Sequence, residues 1–270
     1  MSSPAAVWLL LSREALADAL RRRIVAVVAV LAVVSLVAVE SCTSCSPAAT
    51  RDGQPIDASQ LVGLGALVGA VLLGLWAMVL AGVLASDHLA EPLADGTAEL
   101  VLARPVSRRV FVLSRLAGAW ALAGGAAAVL LSAQAALLHL RQGLALAPAA
   151  AALLACLAGA ATVAGLAMTA SLWLPRAVTA LAAIALVGLV AAANGAAHLG
   201  VGLRGAPAWL DAAGPPLASA MIAALSPWLG PGAPEPGSGL ELGLRSLAWL
   251  AGSAALLVWS FQRIELGRSS

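Results

Sequence analysis

The sequence predicts an all-α, polytopic membrane protein: six transmembrane helices, an N-terminal interfacial helix, and a re-entrant outer segment before the last helix. Three observations lead there. Of 270 residues, 61% are hydrophobic and only 10% are charged, with a mean hydropathy of +0.97; soluble domains run at about 25% charged. So few charges cannot coat a water-facing surface, which excludes a soluble globule. The apolar residues fall in long uncharged runs without period-2 alternation, and in lipid such runs satisfy their backbone amides as helices. The remaining charge lies between the runs. The net charge of +2 gives no global pull toward nucleic acid.

Taken in order, residues 4–20 form an amphipathic stretch. At 100° per residue Leu9, Leu16 and Leu20 share a stripe, Glu14, Asp18 and Arg22 lie opposite, and Trp8 suits the headgroup level. This pattern predicts a surface helix, the alternative being an extension of the first span. The spans are predicted at 24–39, 61–85, 116–138, 149–174, 177–197 and 246–261. About 20 residues cross a bilayer core, so the first and last borrow flanking residues, with arginines snorkelling to the interface. A signal peptide is the competing reading of 21–39. Twenty residues containing Glu14 and Asp18 precede the arginines, however, and no small-residue cleavage site follows.

Orientation follows from arginine placement, since positively charged short loops stay cytoplasmic. With the N-terminus inside, eleven arginines lie on the inner side: Arg13, Arg21, Arg22, Arg23, Arg104, Arg108, Arg109, Arg115, Arg176, Arg263 and Arg268. Only Arg51, Arg141, Arg204 and Arg245 lie outside. Both termini are therefore expected in the cytoplasm.

The loop 86–109 gathers Asp87, Glu91, Asp95 and Glu99 and then Arg104, Arg108 and Arg109. Pro92 and Gly96 are expected to divide it. Asp95 or Thr97 is placed to cap a helix over Ala98 to Ala103, Pro105 to stop that helix, and Ser107 to cap the next. The result is a short helix lying crosswise between two spans. On charge alone, a solvated loop that merely obeys the positive-inside rule would explain it equally well.

The wording of this loop adds to its charge. Gly96, Thr97, Leu100, Leu102, Arg104, Pro105, Val106, Ser107 and Arg108 match the run that follows the second span in ABC-2 type permeases: Gly-Thr, a short apolar helix, then Arg-Pro-Val-Ser-Arg. The chain resembles that family over its whole length, more loosely elsewhere, as a single transmembrane domain. It departs in having Glu91, Pro92 and Asp95 where the family often has a tight acidic-basic-acidic triplet. The resemblance implies the permease subunit of an ATP-binding cassette transporter in a bacterial cytoplasmic (inner) membrane. It implies a second permease copy, identical or related, and a separate P-loop ATP-binding subunit. Glu91, Asp95, Gly96, Thr97, Glu99, Arg104, Pro105, Ser107, Arg108 and Arg109 would then couple the spans to that ATPase. The chain has no lysine, so it lacks the G-x-x-x-x-G-K-[ST] motif; no cofactor is expected on it, and ATP would bind the partner.

In the outer loop 200–241, prolines 207, 215, 216, 227, 231, 234 and 236 exclude one long helix, yet Leu217 to Leu225 is apolar. Nine residues cannot span. Either the segment is re-entrant, like the broken outer hairpin of ABC-2 type permeases, or it is a lipid-facing loop anchored by Trp209 and Trp228.

Cys42 and Cys45 form a C-x-x-C outside the first span, read as a structural disulfide or two free thiols; a soft metal would lack further ligands nearby, and no metal site is expected. Cys156 reads as a packing residue. His88, His139 and His198 read as interfacial groups near span ends. Gly65 and Gly69 form a G-x-x-x-G that is close to chance in so glycine-rich a chain.

The span interiors hold no Asp, Glu, Lys or Arg; Ser35, Gln134, Thr162, Thr169, Ser171, Asn194 and Ser253 are their notable polar positions. This argues against ion-coupled transport and suits an apolar or amphipathic cargo or a path between subunits. There is no H-E-x-x-H and no pair of intramembrane aspartates, so an enzyme is not expected. A structural or assembly membrane protein fits the composition but does not account for the loop.

Overall fold

A computed structural model describes residues 50–51, 54–55, 58–103, 106–200, 202–230 and 239–263. It also describes Leu9, Leu10, Ser12, Arg13, Glu14, Ala17, Ala26, Val30, Val33, Val34, Val37 and Ser41, all helical. The expected surface helix 4–20 and first span 24–39 lie outside the described residues except at those positions. So do Cys42 and Cys45.

A short antiparallel pair comes first, β1 (Thr50–Arg51) with β2 (Gln54–Pro55). The sequence between them, Asp52-Gly53, is a dipeptide that favours two-residue hairpin turns. Helices follow: α1 (Ala58–Ala94), α2 (Thr97–Leu102), α3 (Arg108–Gln142), α4 (Leu146–Ala170), α5 (Arg176–His198), α6 (Ala206–Ala213), α7 (Leu217–Leu225) and α8 (Gly239–Arg263). A 3-10 turn, Ser226–Leu229, extends α7. Five of these, α1, α3, α4, α5 and α8, are long and apolar enough to cross a membrane. They contain the cores of the five spans expected after the first. The protein is thus a helical, multi-pass membrane protein by length and composition.

Most of the helices run past the apolar windows read from the sequence, whereas α4 starts three residues before 149–174 and ends four residues short of it. In particular α1 continues through Pro92 to Ala94, where a break was expected. Proline lacks one amide, whose partner would be the His88 carbonyl; near a helix end that single loss is tolerated. The connecting loop is correspondingly shorter than 86–109. His88, read from the sequence as an interfacial group near a span end, is fully buried within the bundle.

Glycine governs the close approaches. In lipid, helices associate through packing more than through hydrophobic transfer, so small residues let backbones come together. A β-carbon at Gly82 would lie 2.8 Å from Ala183 Cβ of α5 and 3.0 Å from Val163 of α4. Gly74 takes the Met221 side chain of α7, and Gly159 of α4 takes Met78 of α1. The core therefore runs along α1 and α4, with α3, α5 and α7 packed around them. The tight contacts at Gly63, Gly74 and Gly82 fall on the helix that carries Gly65 and Gly69, but at different positions.

Turns follow their local chemistry. Gly143 ends α3 at φ +67°, its amide donating to His139 O at 2.9 Å, and His139 Nδ1 meets Leu144 O at 2.9 Å. Pro148 sits in the first turn of α4, where its missing amide costs nothing. The helix α8 is the most exposed of the five, burying Ser253, Leu257, Ser260 and Phe261.

Candidate functional site

Two polar regions stand out, one at the α2 end of the bundle and one deep within it. The first is the connection between α1 and α3. Here α1 closes with the Asp95 amide donating to Glu91 O at 2.9 Å, and Gly96 at φ +70° reverses the chain. Thr97 is the first residue of α2, and its hydroxyl reaches back to Pro92 O at 3.3 Å, tying α2 to the end of α1. The short helix starts one residue before the predicted Ala98. Ala98 is buried against the bundle, while Leu100 projects outward, 72% exposed.

Among the expected coupling residues, Asp95, Thr97, Ser107 and Arg109 are exposed, and Glu91 and Arg108 are half-buried. Glu99 lies in α2. Arg104 and Pro105 lie outside the described residues. Ser107 caps α3, its Oγ accepting from the Val110 amide at 3.3 Å. Ser107→Ala is expected to cost about 1 kcal/mol, as for other N-cap losses, read as a lower thermal midpoint in detergent.

Arg108 has an unexpected partner. Its Nη1 donates to Gln262 O at 3.4 Å, near the end of α8, where the last carbonyls have no helical partner. The Phe111 and Phe261 rings lie beside this bond, centroids 6.0 Å apart and tilted 31°, with Arg115 5.5 Å from the Phe111 ring. Arg108 thus joins α3 to α8. Across the same end, Arg176 Nη1 approaches Asp87 Oδ1 at 3.9 Å, linking α5 to α1. Both side chains are partly exposed, so the pair contributes at most about 1 kcal/mol. It adds orientation more than stability.

The second region lies at the break between α6 and α7, whose axes bend by 61°. A broken helix leaves carbonyls at the end of its first half and amides at the start of its second, and unsatisfied groups in a low-dielectric interior are costly. Here both sets find partners on other helices. Asn194 of α5 accepts from the Ala218 and Ser219 amides at 3.2 and 3.4 Å, while its Nδ2 donates to Asp211 Oδ1 at 2.8 Å. Arg245 of α8 donates through Nε to Gly214 O at 2.9 Å and through Nη2 to the Asp211 and Gly214 carbonyls. Trp249 Nε1 donates to Ala213 O at 3.0 Å.

The break lies deep in the bundle. Leu217 reaches Gly159, near the middle of α4. From there α7 climbs to the 3-10 turn, where Trp228 Nε1 donates to Ala145 O at 2.9 Å, just before α4 begins. Arg245, counted from the sequence among the outer-side arginines, is a half-buried residue of α8.

Sequence reasoning noted Asn194 as polar and the prolines as breakers, yet did not join them to Asp211, Arg245 and Trp249. An asparagine within an apolar run near a span end, with a proline-broken segment following, was the available signal. Beside the pair, α4, α7 and α8 enclose a slot of about 470 Å³ walled by Ala151, Leu154, Ala158, Ala220 and Leu247. Its one hydroxyl, Ser246, is engaged with Leu242 O, so it offers little to orient a polar ligand.

No protein-family model matches the chain, and no curated protein sequence does.

Proposed function

We propose that this chain is the permease subunit of an ATP-binding cassette transporter of the ABC-2 type, moving a substrate across the cytoplasmic membrane with ATP hydrolysed on a separate subunit. The observation that carries the reading is the loop between α1 and α3. The helix α2 is packed on the bundle through Ala98, tied to α1 by Thr97, and directs an unpartnered leucine away from the protein. A soluble partner that grips Leu100 and the neighbouring exposed Asp95 and Arg109 would pull on α1 and α3 together. The Gly-Thr and Val-Ser-Arg wording of the loop supports the same reading.

The remaining parts fit a six-span unit: the first span at 24–39, the five long helices, and α6–α7 as a re-entrant segment between the last two. In this arrangement the loop end faces the cytoplasm with both termini, and two such units pair. The exposed face of α5, with Leu181 and Leu189 each more than 60% exposed, is available for that pairing.

The test is co-expression with a P-loop ATPase encoded beside the gene. The wild-type pair is expected to co-purify, and Leu100→Asp combined with Arg109→Glu to reduce recovery of the ATPase by about tenfold, the loss of roughly 1.4 kcal/mol of binding, while membrane insertion is unchanged. Equal recovery with the double variant, or a gene neighbourhood without an ATPase, overturns the reading. Arg108 is unsuitable for this purpose, because its bond to Gln262 makes reversal there a folding change as well.

A further inference from the structure

We propose that the break between α6 and α7 is a two-sided latch, closed from α5 by Asn194 and from α8 by Arg245 and Trp249, so that the bent pair releases as one unit when those two helices move apart. The proposal does not depend on the transport reading. It rests on how the polar groups of the break are shared.

A helix break that served only as a stop would be expected to satisfy itself locally, through its own side chains or water. None of the described side-chain partners at this break is local in that sense. The amides of Ala218 and Ser219 go to a side chain 24 and 25 residues earlier. The carbonyls of Asp211 and Gly214 go to a side chain 34 and 31 residues later, and that of Ala213 to one 36 residues later. Asp211 connects the two sides, its carboxylate bonded to Asn194 and its carbonyl to Arg245.

An arginine at this depth is costly unless it is engaged, and backbone groups there have little water to replace a lost partner. Releasing one side therefore strands groups on the other. The arrangement favours two conditions, fully bonded or open to water, over intermediate ones. The consequence is that a shift of α8 at its Gly239 end reaches α5 through the bent pair, whose α7 packs against both helices.

Hydrogen exchange on the full chain in lipid nanodiscs tests this. Arg245→Gln removes the guanidinium's bonds to the Asp211 and Gly214 carbonyls, leaves that of Trp249 to Ala213 O, and touches neither Ala218 nor Ser219. If the latch is one unit, the Ala218 and Ser219 amides nevertheless exchange at least about tenfold faster, in line with a lost buried partner. In the converse variant, Asn194→Ala, the Gly214 amide, which donates to Leu210 O at 3.0 Å, exchanges faster by a similar factor. Arg204→Gln, at an exposed arginine of the link between α5 and α6, leaves all three unchanged.

Unchanged exchange at Ala218 and Ser219 in Arg245→Gln would make Arg245 a local cap and overturn the proposal. Equal acceleration along α3 and α4 would also overturn it, since Arg245 would then hold the whole fold. If Arg245→Gln does not yield folded protein, Asn194→Ala decides alone: faster exchange at Gly214 supports the latch, and no change there ends it.

Discussion

Phe261→Ala is expected to destabilise the protein by about 2–4 kcal/mol, toward the lower part of the range for buried phenylalanine truncations. The reason for the lower part is the solvent. In water most of the loss is transfer free energy, but a helix that separates within a bilayer leaves its side chains in an apolar medium, so packing and cavity terms dominate. Those terms are large here. Phe261 is 1% exposed and Phe111 0%, their rings meet at 6.0 Å, and the Arg108 to Gln262 bond lies one residue away. Because α8 buries few other side chains, loss of this contact should free its Arg263 end selectively. Thermal unfolding in detergent would give the total effect. Limited proteolysis after Arg263 would locate it, with faster cleavage in Phe261→Ala than in Leu256→Ala, a truncation at a 43% exposed position of the same helix. Equal cleavage would show that the aromatic pair does not anchor α8.

Gly63→Val should have the next largest effect, about 1–3 kcal/mol as for other forced overpacking, by a different route. A β-carbon at Gly63 would collide with the carbonyl of Trp228, and the atom in the way is backbone, which cannot rotate aside. The 3-10 turn would have to lift, breaking the bond from Trp228 Nε1 to Ala145 O. Gly125→Val is the matched comparison, since nothing lies within 4 Å of a β-carbon there. The expected result is a lowered thermal midpoint and a red-shifted tryptophan emission for Gly63→Val, with little change in either for Gly125→Val. Identical midpoints would mean that the turn does not press on α1.

What the sequence reveals and what it conceals divide along the line between local and distant chemistry. The apolar runs set the five described spans because lipid forces backbone satisfaction within each segment. Ser107 was legible as a cap because its partner, Val110, is three residues away. The ends of the helices were less so, since counting stops at the first charge while a helix does not: α1 runs on through Asp87 and Glu91, and α8 starts before Arg245. Pro92 was read as a breaker because its effect depends on how near the helix end it falls. The face of α1 that His88 occupies is decided by packing, so burial was not available from spacing. The break between α6 and α7 was visible in its prolines, whereas its partners lay on two other helices. Residues 194 and 245 meet the two sides of the same break only after the chain has folded.

The length of α1 and α3 has a mechanical consequence. At 1.5 Å per residue, the 37 residues of α1 and 35 of α3 extend about 55 and 52 Å, while a bilayer is about 40–45 Å thick including its headgroups. Their surplus lies at the end joined by α2, beyond the apolar stretches. Because α1 carries no interruption there, even at Pro92, this overhang is a stiff moment arm whose fulcrum is the glycine-lined contact of α1 with α4. Under the proposed coupling role, a small displacement applied at Leu100 would reach the buried half of α1 as torque through the bond from Thr97 to Pro92 O.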